Sequence, residues 1–233
     1  MSHGSLRCVW YDTHMHHKLI FFTGLFLFLA PAVFANDLVY TEINRPYEVV
    51  DISKPLSESF FFLGELVDFP VMYGTEVYAT TSITLQLQQA AVPGVDPNAF
   101  SLLVVRKNTY DGGVQEVARS TFTTNDWQFV ERTDWGIAFW QSDSTAVTLS
   151  PGAYRFEVST PENRGKYLLQ FGESTAVGYV ATIAQAHQIQ EFYGYSPLRI
   201  LTSSHVYYPL LILFIFILFQ RLWKYRRLLQ PRE

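Results

Sequence analysis

From Val206 to Phe219 the chain offers water almost nothing to hold: the run is aliphatic and aromatic, broken only by Pro209. No polar face exists between Leu210 and Phe219, so a buried helix in a soluble core is a poor account of it. A helix over Tyr207–Tyr225 would be 19 residues long, or about 28 Å, close to a hydrocarbon core of roughly 30 Å. Tyr207 and Tyr208 at one end, with Trp223 and Tyr225 at the other, supply the aromatic belts of a membrane interface. Pro209 is placed in the first turn, where its missing donor costs little. Arg221, Lys224, Arg226 and Arg227 follow the apolar run as a basic anchor.

A second apolar run, Leu19–Leu29, stands behind Lys18 and ahead of Pro31 and Val33-Phe34-Ala35. A basic start, a short apolar stretch and small residues at the end make a secretory signal, with cleavage expected after Ala35. Eleven residues reach only about 16 Å as a helix, roughly half a hydrocarbon core, which disfavours an uncleaved anchor. Charge agrees with the resulting orientation. Asn36–Ser204 carries ten Lys/Arg against nineteen Asp/Glu, a net of −9, whereas the residues after the apolar run carry +4. Cytoplasmic flanks hold the positive excess, so the reading is a single-pass cell-membrane protein with its globular part extracytoplasmic and its C-terminus inside. Membrane lipid is then one partner, and the acidic exterior excludes nucleic acid.

The census narrows the chemistry. The sole cysteine, Cys8, precedes the expected cut, as do His3, His14, His16 and His17. Only His187 and His205 remain, so thiol catalysis, cysteine-zinc sites and a Ser/His/Asp triad are not expected. No metal, cofactor or enzymatic activity is read from the chain. About 140–160 residues suffice to build a core without disulfides.

Between residues 45 and 171 the chain breaks into short β-type runs separated by turn residues. Strands are predicted at Tyr47–Ile52, Ser59–Leu63, Glu76–Gln88, Phe100–Lys107, Val114–Thr121, Trp127–Arg132, Gly136–Trp140, Ala146–Leu149, Tyr154–Ser159 and Lys166–Phe171. Tyr154, Phe156 and Val158 alternate with Arg155 and Glu157, the mark of a strand with one wet face. Pro93-Gly94, Asp111-Gly112-Gly113, Pro151-Gly152 and Asn163-Arg164-Gly165 supply turns. This favours a mainly β fold, an antiparallel sandwich or jelly roll. Residues 178–193 lack turn signals and predict an amphipathic helix, with Tyr179, Ile183, Ala186 and Tyr193 on its packing face and Gln185, Gln188 and Glu191 elsewhere. The expected organisation is a leader (1–35), a sandwich (36–172), a juxtamembrane segment (173–204), a transmembrane helix (205–225) and a basic tail (226–233).

Asp126-Trp127, Thr133-Asp134-Trp135 and Trp140 form the densest polar-aromatic stretch. Indoles beside carboxylates suit sugar recognition, since the ring face packs on C–H groups while the carboxylate bonds hydroxyls. Burial of Trp in a small β domain is the ordinary alternative. Pro151-Gly-Ala-Tyr-Arg-Phe-Glu-Val-Ser159 followed by Gly165-Lys-Tyr-Leu-Leu-Gln-Phe-Gly172 resembles the closing hairpin of bacterial pre-peptidase C-terminal-type extracytoplasmic sandwiches. The resemblance implies a β-sandwich of the non-catalytic, binding or accessory kind, with no active-site residues to carry over. The function favoured is a non-enzymatic module that meets an envelope protein partner; the alternative is a glycan-binding module using Trp127–Trp140.

Overall fold

The computed structural model describes residues 37–41, 43, 45–108, 112–173 and 179–229. The expected signal segment, Cys8 and the four N-terminal histidines lie outside the described residues. Among the described residues the strands are β1 (Asp37–Thr41), β2 (Val49–Asp51), β3 (Phe60–Val67), β4 (Val71–Val77), β5 (Thr81–Ala90), β6 (Phe100–Lys107), β7 (Val114–Phe122), β8 (Trp127–Arg132), β9 (Ile137–Ser142), β10 (Thr145–Leu149), β11 (Gly152–Ser159) and β12 (Arg164–Phe171). Helix α1 (Tyr179–Phe192), a 3-10 turn (Pro197–Thr202) and helix α2 (Ser204–Leu229) follow.

The strands form two facing sheets. Sheet one orders β1-β3-β12-β5-β9-β8, with β10 also beside β5; sheet two orders β2-β4-β11-β6-β7. The architecture is the expected sandwich, but it is not purely antiparallel: β1 pairs β3 and β2 pairs β4 in parallel. Parallel neighbours need a crossover, and the chain supplies it by visiting the opposite sheet in between.

Two further departures concern the strands. The predicted strand Glu76–Gln88 is in fact the end of β4, a turn at residues 78–80 and most of β5. Thr81 bonds back to the Ala79 carbonyl at 2.9 Å, a turn made without the glycine or proline that marks one in sequence. The first five residues of β4, Val71–Thr75, which follow Pro70 and include Gly74, were not predicted, nor was β1.

Sheet one is buried on both faces. Phe60 and Phe62 enter the core between the sheets with Tyr73, Phe100, Phe156, Tyr167 and Phe171. The alternate residues Phe61 and Leu63 enter a second core, with Trp135, Ile137, Phe139, Leu168, Ala186, Ile189 and Phe192. Period-two alternation sends successive side chains to opposite faces, so the continuous run Phe60-Phe61-Phe62-Leu63 needs cover on both. Helix α1 provides the outer cover. Its packing face is the expected one in part: Ala186 is buried and Tyr193 packs on this core, but Thr182, Gln185, Ile189 and Gln190 are buried too and Ile183 only partly so. The sheet beneath is itself mixed. Gln88 of β5 donates to Gln170 of β12 at 3.1 Å, both buried, and strand parity puts both on the side of Leu168. Polar side chains on the helix therefore suit this face.

Candidate functional site

The residues that drew attention in sequence do not converge on one surface. Trp127 lies in the core between the sheets, edge to face with Phe100 and tilted against Phe122. Trp135 lies in the second core, on the other side of sheet one, and is 2 % exposed. Trp140 packs beside the inner core and meets Phe129 edge to face at 5.4 Å. The carboxylates are engaged locally. Asp126 accepts from the Thr123 backbone N–H and hydroxyl, both at 2.7 Å, and these bonds hold its carboxyl below the usual range. Asp134 accepts a two-pronged bond from Arg132 at 3.0 and 2.8 Å. Burial raises the Asp134 carboxyl, and the guanidinium more than offsets this, leaving it below the ordinary value. Among the described residues, no group of three His, Cys, Asp or Glu side chains gathers as a metal site.

What Asp134 and Trp135 do instead is form the tip of the β8–β9 hairpin, and the segment leading to α2 grips that tip. The Thr133 carbonyl accepts from the Ser204 N–H at 2.8 Å. The Asp134 carbonyl accepts from the Ser203 hydroxyl at 2.6 Å, and the Trp135 carbonyl from the Gln190 side-chain amide at 2.7 Å. The Gly136 carbonyl accepts from Arg199 Nε at 3.3 Å and from the Thr202 hydroxyl at 2.9 Å, which also reaches the Arg199 carbonyl at 2.7 Å. Every carbonyl of the turn Thr133–Gly136 is thus taken by α1, the 3-10 turn, Ser203 after it or the start of α2. Backbone acceptors need partners, and these four carbonyls find theirs in the segment from Gln190 to Ser204.

Side chains reinforce the clamp. Arg132 lies over the Trp135 ring, its Cζ 3.7 Å from the centroid, while Phe61 and Phe139 meet that ring edge on. Gly136 has φ of 68° and leaves no room for a Cβ, which would collide with the Thr202 hydroxyl and lie 2.8 Å from the Ser203 nitrogen. Sequence reasoning flagged Asp134 and Trp135 for their chemistry, but missed Gly136, Gln190, Thr202 and Ser203. Only Gly136, directly after a Trp in a turn, carried a signal.

Helix α2 leaves the clamp with its apolar residues exposed. Ser204–Arg226 is the one helix among the described residues long and apolar enough to cross a membrane, with a mean hydropathy of 1.8 and none of its span buried. Tyr207, Tyr208, Trp223 and Tyr225 are all exposed on it. The helix runs on to Leu229, so Arg226 and Arg227, expected in the tail, are helical together with Arg221 and Lys224. Because α2 begins at Ser204, Pro209 lies inside the helix, beyond its first turn.

Strand directions put a groove at the other end of the sandwich. It encloses about 870 Å³ between the end of β4, the loop after β2 and the ends of β6 and β5, and is lined by Asp51, Lys54, Glu76, Tyr78 and Lys107 among others. Tyr78 is 85 % exposed and donates to Glu76 at 3.0 Å.

No family model matches the chain, and no curated protein matches it in sequence. Solved structures similar to it include the pre-peptidase C-terminal domain of collagenase from Bacillus anthracis. That match has 16% identity and a TM-score of 0.34, covering 56% of this chain and 98% of that one. It is a domain of the kind that residues 151–172 resemble. Others are the Yersinia pseudotuberculosis-derived mitogen (8% identity, TM-score 0.32, covering 52% of this chain and 89% of that one) and PliG of Aeromonas hydrophila, a periplasmic lysozyme inhibitor of g-type lysozyme (15% identity, TM-score 0.32, covering 58% and 97%). Likeness at this level transfers no function to the chain.

Proposed function

We propose that this chain is a non-enzymatic, single-pass membrane protein whose extracytoplasmic sandwich presents its far end to a protein partner in the envelope. The observation that carries the reading is the clamp. Four consecutive carbonyls of the β8–β9 turn are bonded by the segment that leads into α2, so the exposed apolar helix emerges from a fixed point on the sandwich. The groove around Tyr78 lies at the opposite end, directed away from that point. A mixed lining of Asp51, Glu76, Lys54 and Lys107 suits a polar protein surface. Charge supports the orientation, with the acidic sandwich outside and the basic end of α2 within.

Two experiments test this. Protease added to sealed cells should digest the sandwich and spare the C-terminal helix; a protected sandwich would overturn the orientation. A photo-crosslinking residue in place of Tyr78, in the full chain in its own membrane, should give one reproducible protein adduct, which the same residue at Phe129 does not. Adducts absent at Tyr78, or equal at both positions, would remove the partner surface from the groove.

A further inference from the structure

The 3-10 turn Pro197–Thr202 has three residues per turn, so positions three apart share a face. One pair, Arg199 and Thr202, faces the clamp and bonds the Gly136 carbonyl. Ile200 packs against the second core. The third face holds Leu198 and Leu201, which are 74 % and 49 % exposed. Ser196 caps the turn through a bond from the Leu198 N–H at 3.4 Å, so the two leucines are displayed by an ordered turn.

Their cover follows from where the turn stands. The candidate span Ser204–Arg226 has 23 residues, about 34 Å of helix against a hydrocarbon core of roughly 30 Å. Ser204 therefore falls at the edge of the core. Leu201 is three residues earlier, at most about 10 Å away even if fully extended. Headgroups occupy a layer of roughly 5–8 Å on each side of the core. Tyr207 and Tyr208, exposed about one turn into the span, are of the aromatic type that suits this boundary. The clamp fixes the turn to the sandwich, so the leucines cannot swing away from the membrane without breaking it.

We infer that Leu198 and Leu201 form a lipid-contacting foot that seats the base of the sandwich in the headgroup–acyl boundary. This inference rests on the reading of α2 as a membrane span. It adds that the sandwich sits on the bilayer rather than standing off it.

The test uses the full chain, with Cys8→Ser, reconstituted in vesicles of phosphatidylethanolamine with a minority of phosphatidylglycerol. Single nitroxide labels are placed through Leu198→Cys, Leu201→Cys, Phe214→Cys and Tyr78→Cys, and collision rates are read with oxygen, which enters lipid, and with a nickel chelate, which does not. The labels at 198 and 201 should show an oxygen-to-nickel ratio several-fold above that at 78 and below that at 214. Ratios at 198 and 201 equal to that at 78, with 214 deep in lipid, would overturn the foot and leave the span intact. A water-exposed label at 214 would overturn the span itself and the foot with it. All four sites are exposed in the structure, so the substitutions leave the folded core untouched.

Discussion

The two faces of sheet one are closed by different chemistry. Between the sheets the closure is hydrocarbon on hydrocarbon: Phe60 stacks on Phe171 at 4.9 Å and Phe156 meets Phe171 edge on at 5.1 Å, with the Tyr73–Tyr167 hydroxyl contact at 2.9 Å as a polar pair that joins the two sheets. Burial pushes both tyrosines well above their ordinary titration range, so they remain neutral. That pair also requires Gly64, where a Cβ would strike the Tyr167 ring. On the outer face the apolar patch around Phe61 and Trp135 is ringed by Gln88, Gln170, Gln190 and the clamp. The inner core makes the sandwich a stable body; the outer one joins that body to the segment that leads into α2.

The comparison can be broken from either side. Phe171→Ala should cost about 3–5 kcal/mol and unfold both cores together, read by denaturant titration with hydrogen exchange on β3 and α1. Gly136→Ala forces a positive φ on a residue with a Cβ and collides with the segment 202–203, a cost of about 1–3 kcal/mol. Because the clamp can relieve it by opening, exchange should accelerate at Ser204 and in α1 while β6 and β11 stay protected. Ser203→Ala leaves the Asp134 carbonyl without its donor and should cost about 1 kcal/mol, again confined to the clamp. The smallest effect is acid. Asp134 has a lowered carboxyl in the folded protein, so its contribution is complete above the unfolded value near 4 and lost as pH falls through the lower folded one. It is a partly exposed ion pair, worth about 1 kcal/mol or less. Acidification should loosen the clamp before the sandwich, and Asp134→Asn should abolish that difference.

Much of the sandwich was legible because alternation and turn residues coincide. Strands β6 and β8 match their predicted limits to the residue, as Phe100–Lys107 and Trp127–Arg132. Legibility failed where information is not local. The parallel edges depend on which strand a short N-terminal segment meets, and nothing in Asp37–Thr41 encodes that. The β4–β5 turn is made by Tyr78, Ala79 and Thr80, residues equally at home in a strand. Gln185 was placed off the packing face and Gln190 drew no notice; a glutamine is buried only when a partner waits for it, and the partner of Gln190, the Trp135 carbonyl, is seen only after folding. The indoles at 127 and 135 were grouped by proximity along the chain; a strand and a hairpin tip send them to opposite sides of one sheet.

The doubly covered run Phe60–Leu63 bears on how the molecule can be cut. A fragment ending at Phe171 would retain every strand yet bare Phe61, Leu63, Phe139 and Leu168 to water, and such a patch invites self-association. A soluble version that is to remain monomeric should extend through Ser204, keeping helix, 3-10 turn and the donors of Ser203 and Ser204 in place. By the same reasoning, a chain still being synthesised would be sticky until helix α1 arrives.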